Sequence, residues 1–272
     1  MTDLFIEADR VERQYWRDIW RYRELLYFLA WRDLLIRYKQ TVVGVSWSVI
    51  RPLLTMLVLT FVFGHLGRMP SGGVPYPLLV FCGMAPWQFF ATSITEGGGS
   101  LVTNAGMISK IYFPRLMIVG SSVLTSFVDF LVTLVLLAGL LLWYHWPMTP
   151  ALLCLPLFML LLFLFSLGVG LWLSALTVEY RDFKYVVPFL VQMGLYISPV
   201  GFLSSVVPAA LAPWFRLNPM VGMIEGFRWS ILGVHVIGLG PALLVSLVEI
   251  AFFLVTGIWY FRRTERTFAD VI

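Results

Sequence analysis

Six long apolar runs, separated by short polar connections, dictate what this chain can fold into. They cover residues 46–63, 77–93, 116–143, 151–176, 185–203 and 241–261. A membrane-crossing helix needs about 20 mostly apolar residues. In hydrocarbon every backbone amide must be satisfied within its own segment, which leaves helices as the solution for runs of this length. Composition agrees: 60% of residues are hydrophobic and only 12% charged. A soluble domain carries roughly a quarter charged residues. The expected fold class is an all-α polytopic membrane protein. It has six transmembrane helices, an N-terminal amphipathic interfacial helix and short helices between spans five and six.

The distribution of cations sets the orientation. Arg10, Arg13, Arg17, Arg21, Arg23, Arg32, Arg37 and Lys39 precede the first run. Lys110 and Arg115 follow the second, Arg181 and Lys184 the fourth, and Arg262, Arg263 and Arg266 the sixth. With six spans all of these fall on one side, leaving Arg68, Arg216 and Arg228 opposite. Short loops rich in Lys and Arg stay cytoplasmic, so both termini are expected in the cytoplasm. Residues 1–45 then form a cytoplasmic segment, 46–261 the membrane domain and 262–272 a cytoplasmic tail. The charged, aromatic opening lacks the short apolar core of a cleavable signal peptide.

Several chemistries find no residues. Cys82 and Cys154 both sit in apolar runs, and His65, His145 and His235 are scattered, so neither a disulfide framework nor a metal site is expected. Gly97-Gly-Gly99 lacks the lysine of a phosphate-binding loop, so the chain is not expected to hydrolyse ATP itself. Asp129 and Glu249 lie inside apolar runs and Glu96 near the end of one, with no cation in the same run spaced to pair with them. Hydrogen bonding between helices is the plainer expectation; a proton relay is the alternative.

The N-terminal segment is amphipathic, with Leu25, Leu26, Phe28, Leu29, Leu35 and Ile36 gathering on one side of a helical wheel. Arg32 and Lys39 fall within that arc, where long basic side chains can snorkel to headgroups. This polar helix hands over at Val43-Gly44 to the first span. Arg32, Arg37, Tyr38 and Lys39 therefore stand at an entrance. Trp47 at the mouth of the first span, Trp87, Phe89 and Phe90 in the second, and Gln192 and Tyr196 in the fifth combine apolar ring faces with hydrogen-bonding groups. Such a lining lets a glycan slide without a deep minimum; belt and packing roles account for single members equally well. The stretch 204–240 is too long for a turn and too polar to span, and reads as one or two short helices dipping into the outer interface.

Islands of sequence run through nearly the whole chain in a familiar order. They are Arg32-Asp-Leu-Leu-Ile-Arg-Tyr-Lys-Gln40 with Gly44-Val-Ser-Trp47, Pro86-Trp-Gln-Phe-Phe90 and Ser109-Lys-Ile-Tyr-Phe-Pro-Arg115. Tyr180-Arg-Asp-Phe-Lys-Tyr185, Ser198-Pro-Val-Gly-Phe202, Asn218-Pro-Met220 and Glu225-Gly-Phe-Arg228 follow. In these the chain resembles ABC-2 type permeases, specifically exporters of O-antigen or teichoic acid. The resemblance implies a homodimer of six-span subunits in a bacterial inner membrane, each copy on a separate nucleotide-binding ATPase subunit. ATP and Mg belong to that partner; no cofactor is implied on this chain, and no nucleic acid. The cargo it implies is a glycan on undecaprenyl diphosphate, O-antigen ranking first, with teichoic acid, capsular polysaccharide or a small amphipathic drug or lipid as alternatives. It also implies that Lys110, Ile111, Tyr112, Phe113, Pro114 and Arg115 couple to the ATPase. Trp214, Asn218, Glu225 and Arg228 then belong to a periplasmic gate. Val43-Gly44 stands where the family often has Leu-Gly.

The orientation predicts that a cysteine introduced beside Arg266 resists an impermeant thiol reagent on intact spheroplasts and reacts once they are lysed. Efficient labelling before lysis would remove the six-span reading.

Overall fold

The computed structural model describes residues 12–39, 42–108, 110, 113–234, 238–265 and 268, and among these it is helical with no strand. Two short-range helices lead in, α1 (Glu12–Arg21) and α2 (Arg23–Lys39). The long helices are α3 (Val42–Leu59), α4 (Tyr76–Thr103), α6 (Leu116–Trp143), α7 (Leu155–Glu179) and α11 (Leu239–Thr264). Between them lie the single turn α5 (Ala105–Ile108), α8 (Phe183–Ile197), the single turn α9 (Ala212–Phe215) and α10 (Pro219–Leu232). With their irregular extensions, five segments are long and apolar enough to cross a membrane: Ser46–Leu66, Tyr76–Thr103, Leu116–Trp143, Pro150–Glu179 and Leu239–Thr264.

The expected fifth span, 185–203, is shorter as a helix. α8 stops at Ile197, and Ser198 turns extended before Pro199. Proline disfavours helix at the residue before it and cannot donate a backbone bond. At 1.5 Å per residue the 15 residues of α8 reach about 22 Å, short of a ~30 Å hydrocarbon core. The turn that follows is tied back to the bundle: Tyr76, which opens α4, donates its hydroxyl to the Gly201 carbonyl at 2.6 Å. The expected second span is longer than its apolar part. Its helix runs through Gly97 and Gly98 to Thr103, because those glycines let α7 come close: a Cβ on Gly97 would sit 3.8 Å from the Gly170 backbone.

α4 is the central helix, buried along most of its length against α6, α7 and α10. One apolar core runs between them and includes a run of rings, Phe89 on Phe130 and Phe90 flat on Phe165. A second core lies at the other end of the bundle. It joins Leu29 of α2 to Leu101, Ile118, Val119, Leu171, Val178, Phe261 and Phe268. The ends of four long helices and α2 therefore meet at one face, the face that also carries the clustered cations.

α7 and α11 pack backbone to backbone. A Cβ on Gly257 would lie 2.4 Å from the Gly168 carbonyl, and one on Gly168 would lie 2.7 Å from the Leu254 amide. Small residues at such crossings let apolar helices gain dispersion contact in lipid. Gly168→Val or Gly257→Val should therefore destabilise the protein by about 1–3 kcal/mol through overpacking. Gly139→Val, where a Cβ meets nothing within 4 Å, should be silent. Thermal melting of the detergent-solubilised variants checks this; equal melting of all three would refute it.

Candidate functional site: a polar mouth between the interfacial helix and the bundle

α2 lies against α6 through a stripe at helical spacing. Leu29 and Ala30 are buried, and Leu26 touches Gly120. One turn and more beyond, the same stripe delivers Arg37. The opposite face leaves Tyr27, Phe28, Trp31, Leu35 and Ile36 exposed. The arc read from the sequence is thus divided between protein and surroundings.

Arg37 answers the question posed by the charges in the spans. Its Nη2 donates to both carboxylate oxygens of Glu96 at 2.7 Å, and its Nη1 to Asp129. The Tyr38 hydroxyl donates to the other Asp129 oxygen, and Ser126 Oγ to Glu96 at 3.3 Å. Burial, reinforced by the bond to Asp129, pushes the Tyr38 phenol up to about 12, so it stays a donor at physiological pH. The expectation that no cation pairs with these carboxylates holds only within a span; the partner comes from α2. Arg32 is likewise engaged, donating to Asp33 at 2.8 Å and to Asn104 Oδ1 at 3.0 Å, which ties α2 to the turn after α4. Lys39 is exposed. Val43 and Gly44 lie in the first turns of α3.

Beside this cluster opens a cavity of about 330 Å³ between α2, α3, α4 and α6. Its walls mix charge, hydroxyl, amide and ring: Arg37, Tyr38, Glu96 and Asp129, then Ser48, Gln88, Thr92 and Thr133, then Trp47, Phe89 and Phe130. Arg51 also lines it. Reading by apolar runs passes over this residue because a single cation hardly lowers a window's hydropathy. The signal was there: a charge inside a span costs about 2.5–3.5 kcal/mol on insertion scales and marks function by default.

The six expected lining residues do not form one wall within a chain. Trp47 and Phe89 reach the polar cavity, although Phe89 is almost wholly buried. Trp87 and Phe90 face a separate apolar groove against Val191 and Gly194 of α8. Gln192 and Tyr196 lie exposed on the outer side of α8. Alternating helical faces separate them, since neighbours in sequence diverge by 100°.

The coupling segment is partly internal. Phe113 and Pro114 are buried, Lys110 is exposed, and Ile111 and Tyr112 lie outside the described residues. Phe113 belongs to the same apolar core as Phe268. Arg115 grips the tail: its backbone amide donates to the Glu265 carboxylate at 2.9 Å, its guanidinium to the Glu265 carbonyl, and it lies over the Phe268 ring.

At the opposite end, Glu225 and Arg228, expected at a gate, are both buried within α10. Arg228 donates to the carbonyls of Phe202 at 2.8 Å and Val200 at 2.9 Å, and to Glu225 at 3.3 Å. Glu225 in turn accepts from the Ser204 hydroxyl at 2.6 Å. The pair supplies partners for backbone that leaves helix after α8, the condition for irregular backbone at depth. Asn218 caps α10 by accepting from the Met220 amide at 3.0 Å and donates to Ser198 at 2.9 Å, while Trp214 is exposed.

Arg37 and Glu96 should be energetically coupled. A double-mutant cycle with Arg37→Gln and Glu96→Gln should return about 1 kcal/mol of coupling, the upper range for half-exposed pairs. The double variant should melt above Arg37→Gln alone, which strands two carboxylates. Additive effects would show that the fork contributes nothing.

The model of the ABC-2 type transporter family matches residues 24–232. An O-antigen export system permease protein, RfbA, of Klebsiella pneumoniae is 29% identical over 252 residues, 92% of this chain and 95% of its own length. A second RfbA of that organism is 31% identical over 75% of this chain and 79% of its own. RfbA of Myxococcus xanthus is 29% identical over 78% and 82%. With most of its bundle inside that family match, the chain belongs to the ABC-2 type transporter family.

Proposed function

We propose that this protein is the membrane-spanning permease subunit of an ABC exporter that moves lipid-linked O-antigen polysaccharide across the bacterial inner membrane. The observation that carries the reading is the near end-to-end similarity to O-antigen export permeases. A separate nucleotide-binding subunit, two copies per transporter, binds ATP and Mg and supplies the energy. Two copies of this chain enclose the path, with α8 as the fifth of six spans and both termini cytoplasmic. The apolar outward faces of α3 (Ile50, Leu54, Leu57, Phe61) and α8 (Tyr185, Phe189, Tyr196) support a second copy as neighbour.

The cargo is a glycan on undecaprenyl diphosphate. It enters at the basic end, where α2 lies in the headgroup plane among membrane lipids with Tyr27, Phe28 and Trp31 toward them. Gln192 and Tyr196 on α8 offer it hydroxyl partners and a ring face along the shared path. Stroke transmission runs through Lys110–Arg115. The grip of Arg115 on Glu265 and Phe268 supports this role, because a segment held to the last span and to α2 through a common core moves them together. Trp214 and Asn218 bound the outer opening.

In a strain that makes O-antigen, removing this chain should leave glycan on its lipid carrier at the inner leaflet and strip it from the cell surface. Plasmid-borne wild type should restore surface glycan, and should co-purify an ATPase whose hydrolysis the complex couples to export. Normal surface glycan without the chain would refute the reading.

A further inference from the structure

Arg51 stands apart from the other cations at the mouth. It lies five residues into the first apolar span, Ser46–Leu66, about 8 Å along its axis at 1.5 Å per residue. Its side chain is exposed, and among the described residues it has no ion pair and no side-chain hydrogen bond. Arg32 and Arg37 are by contrast already committed to acceptors of the chain itself. A guanidinium offers a planar fork of donors matched to phosphate oxygens. One left open in a partly desolvated site calls for an anion.

The cavity tells which anion. Arg51 shares it with Trp47, Gln88 and Thr92, a ring face and neutral hydrogen-bonding groups. Glu96 and Asp129 line the same space. Arg37 cancels one of their two charges and Arg51 balances the other across the cavity, so the four groups are neutral together and the exposed fork of Arg51 is left to meet an anion. Beyond that fork the walls suit hydroxyls and the apolar face of a sugar ring. From this geometry we infer that Arg51 binds a phosphate of the lipid carrier and that the adjoining sugar enters the cavity beside Trp47. The inference rests on the export reading above and assigns the phosphate contact to Arg51, since Arg37 is already held by Glu96 and Asp129.

The test uses the full chain in phosphatidylcholine nanodiscs and the arginine reagent phenylglyoxal, with modification read by peptide mass spectrometry. Arg51 should react in phosphatidylcholine alone. Undecaprenyl diphosphate should protect it about fivefold or more, whereas undecaprenol should not, since only the phosphate engages the fork. Equal protection by phosphatidylglycerol would reassign the contact to ordinary headgroups and overturn the inference. So would protection by neither lipid, or an Arg51 that never reacts, either of which would make it a long-range counter-charge to Glu96 and Asp129.

Because these measurements use wild type, they do not depend on any variant folding. Where Arg51→Gln is stable, its affinity for radiolabelled undecaprenyl diphosphate should fall on the order of tenfold, with Arg51→Lys between; tenfold corresponds to one charge-assisted bond. Unchanged affinity in Arg51→Gln would overturn the assignment. Complementation separates the two readings. Restored export with an unprotected Arg51 removes only the phosphate site, whereas protected Arg51 without restored export removes only the export function.

Discussion

The fork of Arg37 on Glu96 and Asp129 is the constraint on which the basic end of the molecule depends. Two carboxylates on neighbouring apolar helices each cost about 2.5–3.5 kcal/mol if left alone, and each repels the other. A cation within either helix would compete for the same apolar contacts. Bringing it from outside the bundle resolves both problems at once. The price of that solution is geometric. α2 must lie against α6 with one rotation, the one that buries Leu29 and Ala30 and turns Tyr27 and Trp31 outward. The cavity follows, because a fork held at this distance keeps α2 from closing over the gap between α3 and α4.

The far end uses the same side chain differently. Arg228 meets two carbonyl oxygens of broken backbone and one carboxylate, and it is wholly buried. There the guanidinium substitutes for the intrahelical partners that the Ser198-Pro199 break removes. Gly83 makes room for it, since a Cβ there would fall 2.7 Å from Nη2. One arginine fixes α2 to the bundle and the other fixes the buried α10 inside it. Between them, α4 is held at both of its ends.

The sequence makes the long helices plain because their signal is local and additive. The third run, 116–143, coincides with α6 end to end. The fifth does not coincide, since hydropathy counts residues and is blind to the backbone cost of Pro199. Pairings across the fold are hidden for a different reason. Arg37 is 59 residues from Glu96 and 92 from Asp129, and no periodicity links positions so far apart. The polarity of Glu225 and Arg228 was legible, and suggested a surface; that they are buried depends on α4, α7 and α11 closing around α10. Arg51 was legible too, as a charge in an apolar run, but its meaning required knowing that Arg32 and Arg37 were already occupied.

That last dependence carries a general consequence for conduits. A path that moves a long polar chain must avoid deep wells, so charges along it are best neutralised by one another. Arg37, Glu96 and Asp129 meet that condition in part: the guanidinium offsets one of the two carboxylate charges. An open cation is useful only where a cargo must be caught once, at its unique charged end, and then released. Arg51, near the mouth and bordered by Trp47 rather than by acids on its own helix, occupies such a position. On the export reading proposed above, the division between paired and open arginines separates the groups that shape the path from the group placed to start a passage through it.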